Sequence, residues 1–168
     1  MNKVKINKLQ EILNLKFKSQ YLLIRALTHK SYNPNSNNEK LEFLGDRVLG
    51  LIISMKLIEL YPNQKVGMLD KKLASLVNKN ICLEVGKKLN LEQFILIGNS
   101  NKKSYRVENK IISDCCESLI GAIYLDKGFY FAEKFIADNW KELIKSAKIT
   151  AIDSKTKLQE YSLKKYKK

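Results

Sequence analysis

Residues 39–60 form a long segment rich in Leu, Ile, Val and other apolar side chains, and it ends at Tyr61 and Pro62. This pattern predicts one α-helix over the whole range, because the turn-forming residues 33–38 give a start signal and proline cannot continue a helix. A helix that is apolar around most of its circumference has to lie at the centre of a domain or in an interface. The chain is therefore expected to fold around this helix.

The rest of the chain also has helical periodicity, and no segment alternates convincingly as a strand does. Further helices are predicted at residues 9–13, 22–27, 69–89, 111–125 and 130–145. The predicted fold class is all-α, a helical bundle around a long central helix. A chain of 168 residues is long enough to bury a hydrophobic core without disulfides or a structural metal.

The cysteines and the hydropathy of the chain indicate where in the cell the protein is expected. Cys82, Cys115 and Cys116 are odd in number and have no spacing typical of a zinc site or a redox pair, so a reducing cytoplasm is expected. No apolar stretch reaches the roughly 18 to 20 residues that a membrane span needs, and the first ten residues lack the apolar segment of a signal peptide. No membrane partner is expected.

The formal net charge of +14, from 31 Lys and Arg against 17 Asp and Glu, indicates a polyanionic partner, with nucleic acid as the first candidate. Nearly all of the basic residues are lysine. Base-composition bias in the genome is therefore an equally good explanation of the charge taken alone.

Acidic residues interrupt the apolar pattern of two predicted helices. At about 100° per residue, Glu39, Glu42 and Asp46 share one stripe of the long helix. Asp114 and Glu117 repeat the i, i+3 spacing inside a later apolar helix. If the two stripes face each other they make a carboxylate cluster, and such a cluster either pairs with basic residues or holds divalent cations such as Mg²⁺.

A simpler explanation exists for part of this pattern. Glu39 and Glu42 could be ordinary first-turn acids, which the helix dipole favours. That explanation is weaker for Asp46, Asp114 and Glu117, which lie among apolar neighbours. In a basic protein, an acidic pocket can meet a phosphate backbone only through bound cations. Two metals about 4 Å apart could activate water and stabilise the leaving oxygen in phosphodiester hydrolysis.

Two other residues bear on the site. Gly45 lies inside the long helix, where glycine costs about 1 kcal/mol relative to alanine, and close packing against another helix is the expected reason. The single histidine, His29, is expected to make structural hydrogen bonds, because a metal-assisted hydrolysis needs no histidine base.

The segment EKLEFLGDRVL at 39–49 resembles the signature of the ribonuclease III family. ALTHKS at 26–31, SLVN at 75–78 and ISDCCESLIGAIYLDKG at 112–128 support the resemblance, in the family's order and approximate spacing. The resemblance implies an all-helical endonuclease domain that acts as a homodimer on double-stranded RNA. It implies one magnesium-dependent site per subunit, with Mn²⁺ as a possible substitute, and products with 5′-phosphates and short 3′ overhangs in rRNA and mRNA processing.

The resemblance also assigns residues. By motif position the family's acidic cluster corresponds to Glu39, Glu42, Asp46, Asp114 and Glu117. Glu42, Asp114 and Glu117 resemble its principal metal ligands, and Asp46, Glu117 and Glu39 are the expected catalytic residues. Phe43 resembles the aromatic plug that inserts into the partner subunit, although a core phenylalanine is an equally good explanation.

One position departs from the family pattern. The family usually places another glutamate just before the glycine aligned with Gly67, and this chain has Val66, which cannot ligate a metal. Asp70, one helical turn along, is a weaker candidate for that role. The change bears on the occupancy of a second metal or on the RNA contacts near it.

Residues 1–148 are assigned to the endonuclease domain, and residues 149–168 to a linker and the first helix of an incomplete double-stranded RNA-binding domain. The second assignment rests on DSKTKLQEY at 153–161, which resembles the start of that domain. The rest of the domain is not in this sequence. RNA affinity is therefore expected to be weaker and strongly salt-dependent.

The leading hypothesis is an active endoribonuclease that cuts double-stranded RNA. The alternative is a catalytically silent double-stranded RNA-binding or scaffold protein that keeps the fold, motivated by Val66 and the incomplete second domain. The five retained acids argue against it. A compact relative that lacks the RNA-binding domain is disfavoured by residues 153–161.

Overall fold

The computed structural model describes residues 3–98 and 107–146, and within these residues the protein is all-α, which confirms the predicted fold class. The described helices are α1 (Lys3–Ile12), α2 (Gln20–Ala26), α3 (Glu39–Leu60), α4 (Val66–Leu76), α5 (Lys79–Lys88), α6 (Asn109–Lys127) and α7 (Phe129–Ser146). A short 3-10 helix at Leu91–Gln93 follows α5. One isolated parallel bridge joins Thr28 to Leu96.

Helix α6 is the most enclosed element of the described chain. Every residue from 112 to 123 is buried, and the helix packs against α2, α3, α5 and α7. Its apolar side chains supply a large part of the single hydrophobic core. Asp114 and Glu117, the two acidic residues within this buried stretch, therefore lie in surroundings from which water is largely excluded.

Helix α3 has the bounds that the sequence predicts, and it presents two different apolar faces. Leu49 and Ile53 are fully buried in the core, whereas Phe43, Leu51 and Ile58 are large apolar side chains that remain exposed. Exposed large apolar side chains on one helix are typical of an interaction surface. The sequence predicted that this helix lies either in the core or in an interface, and its two faces are consistent with both.

The helical region predicted at residues 69–89 is two helices, with Val77 and Asn78 between them. The side-chain oxygen of Asn78 accepts hydrogen bonds from the backbone N–H groups of Asn80 and Ile81, at 3.0 and 3.2 Å. These bonds satisfy donors that the start of a helix leaves free, and a cap of this kind contributes about 1 kcal/mol. Asn78 therefore starts a new helix, α5.

Helices α3 and α6 approach each other closely at two glycines. A Cβ atom built on Gly45 would lie 1.8 Å from the backbone oxygen of Glu117, and one built on Gly121 would lie 2.3 Å from the backbone oxygen of Leu41. No side chain fits at such distances, so the crossing requires glycine on both helices. The expectation that Gly45 marks packing against another helix is confirmed.

None of the described helices is long and apolar enough to cross a membrane. Residues 147–168 lie outside the described residues. The domain boundary at 148–149 and the incomplete RNA-binding domain therefore stay predictions.

Candidate active site

Three carboxylates from two helices converge beside the α3–α6 crossing. Glu42, Asp114 and Glu117 each offer one oxygen, and these oxygens all lie within 4.8 Å of one another. Glu42 comes from the start of α3, while Asp114 and Glu117 share one face of α6 because they are three residues apart. Hard oxygen donors at this separation suit a divalent cation that keeps water in its remaining positions.

The electrostatics of the cluster also favour an added cation. Burial raises the pKa of Glu117 to about 7, and the like charges of Glu42 and Asp114 act in the same direction. The positive charge of Lys79 and a hydrogen bond from the Cys82 thiol oppose this rise. A carboxyl group in this position stays ionised at neutral pH only where positive charge is close to it.

Lys79 is a residue of the site that the sequence analysis missed. It is the first residue of α5, and its Nζ lies 2.5 Å from Oδ1 of Asp114 and 3.3 Å from Oε1 of Glu42. Burial lowers the pKa of this ammonium, but the hydrogen bond to Asp114 and the nearby carboxylate charges outweigh burial, so the pKa lies above the ordinary lysine value. The ammonium of Lys79 thus contacts two of the three carboxylates of the cluster.

Glu39 and Asp46 lie on the rim of the site. Both line a cleft of about 640 Å³ that Glu117 also lines, so the α3 stripe faces α6. The Glu39 Oε1 atom accepts a hydrogen bond from Lys30 Nζ at 3.0 Å, and Asp46 is paired with the neighbouring guanidinium of Arg47. The side chains of Lys30 and Arg47 are largely exposed and can move away. Both rim carboxylates can therefore reach a molecule in the cleft.

Phe43 lies at the mouth of the same cleft and is 65% exposed. The guanidinium carbon of Arg47 lies 4.9 Å from the centre of its ring. This exposure argues against the core explanation for Phe43. An interface role stays the prediction for this residue.

Three other residues considered in the sequence analysis do not contribute to the described site. Val66 is exposed at the start of α4, and neither it nor Asp70 lines the cleft or belongs to the three-carboxylate group. Asp70 therefore does not take the place of the usual glutamate within this single chain. His29 lies outside the cleft, with Nδ1 2.8 Å from Ser31 Oγ, which is consistent with the structural role expected of it.

A family model described as ribonuclease-III-like matches residues 19–146. The chain belongs to the ribonuclease III family. Ribonuclease 3 of Pelagibacter ubique (strain HTCC1062) is 60% identical over 160 residues, which cover 95% of this chain and 72% of that protein. A ribonuclease 3 of Campylobacter jejuni is 42% identical over 160 residues, covering 92% of this chain and 70% of that protein.

Solved structures of similar proteins share the fold. A structure of the nuclease domain of ribonuclease III from Campylobacter jejuni aligns with a TM-score of 0.72 at 39% identity, covering 81% of this chain and 99% of that one. Dicer from Pichia stipitis aligns with a TM-score of 0.63 at 21% identity over 81% of this chain and 61% of that one, which shows a common fold alone. Ribonuclease III enzymes are metal-dependent, and the three-carboxylate group provides suitable ligands.

Proposed function

We propose that this chain hydrolyses phosphodiester bonds of double-stranded RNA at the acidic cluster, with Mg²⁺ as the working cation and Mn²⁺ as a possible substitute. The enzyme class, an endoribonuclease of the ribonuclease III type, follows from the family and its curated relatives. The observation that supports the site is the convergence of Glu42, Asp114 and Glu117. We expect the enzyme to act in the cytoplasm, in rRNA and mRNA processing.

Each carboxylate has a role in this proposal. Glu42, Asp114 and Glu117 would hold the cation, which when bound supplies an activated water and stabilises the leaving oxygen. Glu39 and Asp46 line the cleft from α3, and Glu117 lines it from α6. We assign to these rim carboxylates, together with Glu117, the orientation of the attacking water and the acceptance of its proton.

The substrate class follows from charge and shape. A net charge of +14 attracts the phosphates of a nucleic acid, while the acidic cleft repels them unless a cation lies between. An RNA duplex is recognised mainly through its A-form shape and its backbone, with little readout of base sequence. We therefore expect long duplex RNA of varied sequence to be cut.

We further propose a homodimer formed through the exposed apolar face of α3, with Phe43 inserted into the partner subunit. The similar nuclease domain from Campylobacter jejuni is described as having a flexible region involved in dimer formation. Two sites on opposite strands would leave 5′-phosphates and short 3′ overhangs. In this proposal residues 1–148 are the nuclease domain, and residues 149–168 are a linker and the first helix of a double-stranded RNA-binding domain.

The test is cleavage of long duplex RNA by the purified chain in the presence of Mg²⁺. The variants Asp114→Asn and Glu117→Gln should lower the rate by more than about 100-fold, since even residues that only orient metal ligands are worth about 10- to 100-fold. The control is Asp138→Asn, an exposed acid on α7 that should leave the rate unchanged. A wild-type protein that cuts no RNA, or cluster variants with unchanged rates, would contradict the proposal.

Val66 favours the second candidate function, a silent double-stranded RNA-binding or scaffold protein. The variant Val66→Glu separates the two. If an inactive wild-type protein gains activity through this substitution, the departure at position 66 disables the enzyme. If an active wild-type protein changes little, a glutamate at this position is dispensable here.

A further inference from the structure

We propose that Lys79 is an internal counter-ion of the acidic cluster, which compensates the three carboxylates in the absence of metal and has to leave them before a divalent cation can bind. The inference rests on the metal-binding role proposed above. It goes beyond that role because it names the residue that sets the metal affinity of the site.

In this geometry the ammonium of Lys79 and a divalent metal ion cannot both occupy the cluster. Lys79 Nζ already lies 2.5 Å from Asp114 Oδ1 and 3.3 Å from Glu42 Oε1, so it contacts two of the three carboxylates that would ligate the metal. A magnesium ion needs its oxygen ligands at about 2.1 Å. Both cations would then contact the same two carboxylates within a few ångströms of each other, where their charges repel. Metal binding therefore requires the ammonium to move away.

Lys79 can move without disturbing the fold. Its side chain is 53% exposed and borders the cleft of the active site. The start of α5 is fixed by the side chain of Asn78, through bonds to the backbone of Asn80 and Ile81. The four-carbon stem of lysine is flexible. The ammonium can therefore turn into the cleft, towards the phosphates of a bound RNA, while the helix stays in place.

A second lysine offers a matched comparison. Lys110 also pairs with Asp114, through Oδ2, but at 3.9 Å and with its side chain 74% exposed. It carries the same charge and contacts the same carboxylate as Lys79, and no ion pair links it to Glu42 in the described residues. If positive charge near the cluster acts only in a general way, removal of either lysine should change the metal affinity. If an ammonium has to be displaced from the cluster, removal of Lys79 alone should change it.

The first experiment measures Mg²⁺ and Mn²⁺ binding by calorimetry in the absence of RNA. Methionine replaces each lysine, because it keeps most of the stem and removes the charge. We expect Lys79→Met to bind metal about ten-fold more tightly, a size set by two partly exposed ion pairs, and Lys110→Met to change affinity by less than about three-fold. Lys79→Arg, which keeps the charge, should bind no more tightly than wild type.

The second experiment follows the displaced group directly. The ¹⁵Nζ NMR signal of Lys79, assigned by its loss in Lys79→Met, should shift as Mg²⁺ is added, with the same concentration dependence as the calorimetric binding. Fluorescence of the buried Trp140 verifies that each variant is folded. Without metal, Lys79→Met should melt at a lower temperature than wild type, and added metal should raise its melting temperature by more.

The outcomes separate this inference from the proposed function. If wild type binds metal but Lys79→Met has the same affinity, if both methionine variants gain equally, or if the Lys79 signal does not move, the counter-ion role is overturned and the metal site stands. If neither wild type nor Lys79→Met binds metal, both proposals fail. Binding by Lys79→Met alone supports the inference, because it shows that the lysine blocks the site.

Discussion

Glu117 shows how its immediate neighbours determine the chemistry of one carboxyl group. It is 4% exposed, and it lies between the like charges of Glu42 and Asp114. The ammonium of Lys79 and the thiol of Cys82, both on α5, act to lower its pKa. A buried carboxylate keeps its charge only where cations and donors surround it. The state of this residue thus depends on groups from three different helices.

The distinction between ligand and rim residues can be tested at Glu42 and Glu39. Glu42 belongs to the three-oxygen group, whereas Glu39 lies on the rim and pairs with Lys30. We expect Glu42→Gln to weaken metal binding by about 10- to 100-fold, and Glu39→Gln to lower cleavage while metal affinity stays within about two-fold. Calorimetry and RNA cleavage on the same preparations give both values. Equal losses of metal affinity would show that Glu39 is also a ligand.

Trp140 is expected to contribute strongly to the stability of the fold. Its side chain is fully buried, and its Nε1 donates a hydrogen bond to the backbone oxygen of Leu76 at 3.0 Å. Trp140→Phe removes the donor and leaves a cavity, so the free energy of unfolding should fall by about 2 to 4 kcal/mol. Urea unfolding followed by circular dichroism measures the change. The control Tyr130→Phe alters an exposed side chain and should change stability by less than about 0.5 kcal/mol.

At the scale of helices, the α3–α6 crossing brings the two acidic stripes together, and Gly45 makes it possible. Gly45→Ala would push a Cβ into the backbone of Glu117, so the helices have to separate. We expect the free energy of unfolding to fall by about 1 to 3 kcal/mol. Metal binding should also weaken, because Glu42 moves away from its partners on α6.

Gly50 provides the matched control in the same helix. A Cβ added there meets no atom within 4 Å, so Gly50→Ala should stabilise the protein by up to about 1 kcal/mol, in line with the better helix propensity of alanine. Both variants can be compared by urea unfolding monitored through Trp140. A Gly45→Ala protein as stable as Gly50→Ala would show that the helices do not cross at this distance.

Much of the helical structure could be predicted from the sequence, because the residue patterns that indicate a helix are local. Pro62 and the apolar periodicity define α3, and an acid pair spaced i, i+3 has to share a helix face. The break between α4 and α5 was missed for a physical reason. The apolar periodicity continues across Val77 and Asn78, and the asparagine cap outweighs it only once the chain packs in three dimensions.

Lys79 could not be predicted in the same way. It is 35 residues from Asp114 along the chain, and although it directly follows the SLVN motif at 75–78, nothing in that motif indicates that its ammonium reaches the carboxylates. Only the packing of α5 against α6 places its ammonium among the carboxylates. The exposure of Phe43 is a similar case, because a sequence pattern alone does not separate an interface side chain from a core one.

The chain as a whole has a strong positive net charge, and it carries an acidic site. The net charge of +14 acts over long distances, whereas the carboxylates act within the cleft. Binding of duplex RNA by the Asp114→Asn variant should therefore weaken steeply with salt. Roughly four phosphate contacts would reduce affinity about 100-fold between about 50 and 200 mM salt. Filter binding over a salt series measures the slope, and an affinity independent of salt would contradict an electrostatic origin.

The exposed apolar face of α3 predicts the assembly state. Leu51 and Ile58 are 55% and 60% exposed, and a patch that meets its own copy gives a closed two-fold dimer. We expect a dimer for wild type, and a monomer for Leu51→Glu combined with Ile58→Glu, because charge on this face has to be desolvated in the interface. Analytical ultracentrifugation distinguishes the two, with Tyr130→Glu on α7 as an exposed control that stays dimeric.

The monomeric variant also separates assembly from metal binding. All three carboxylates of the cluster come from one chain, so its metal affinity should stay near that of wild type. Its cleavage pattern should change, because a single site can cut one strand at a time. Nicked duplexes should then replace the paired cuts that leave short 3′ overhangs. A wild-type protein that sediments as a monomer, or a monomeric variant that still makes paired cuts, would contradict a dimer in which each subunit cuts one strand.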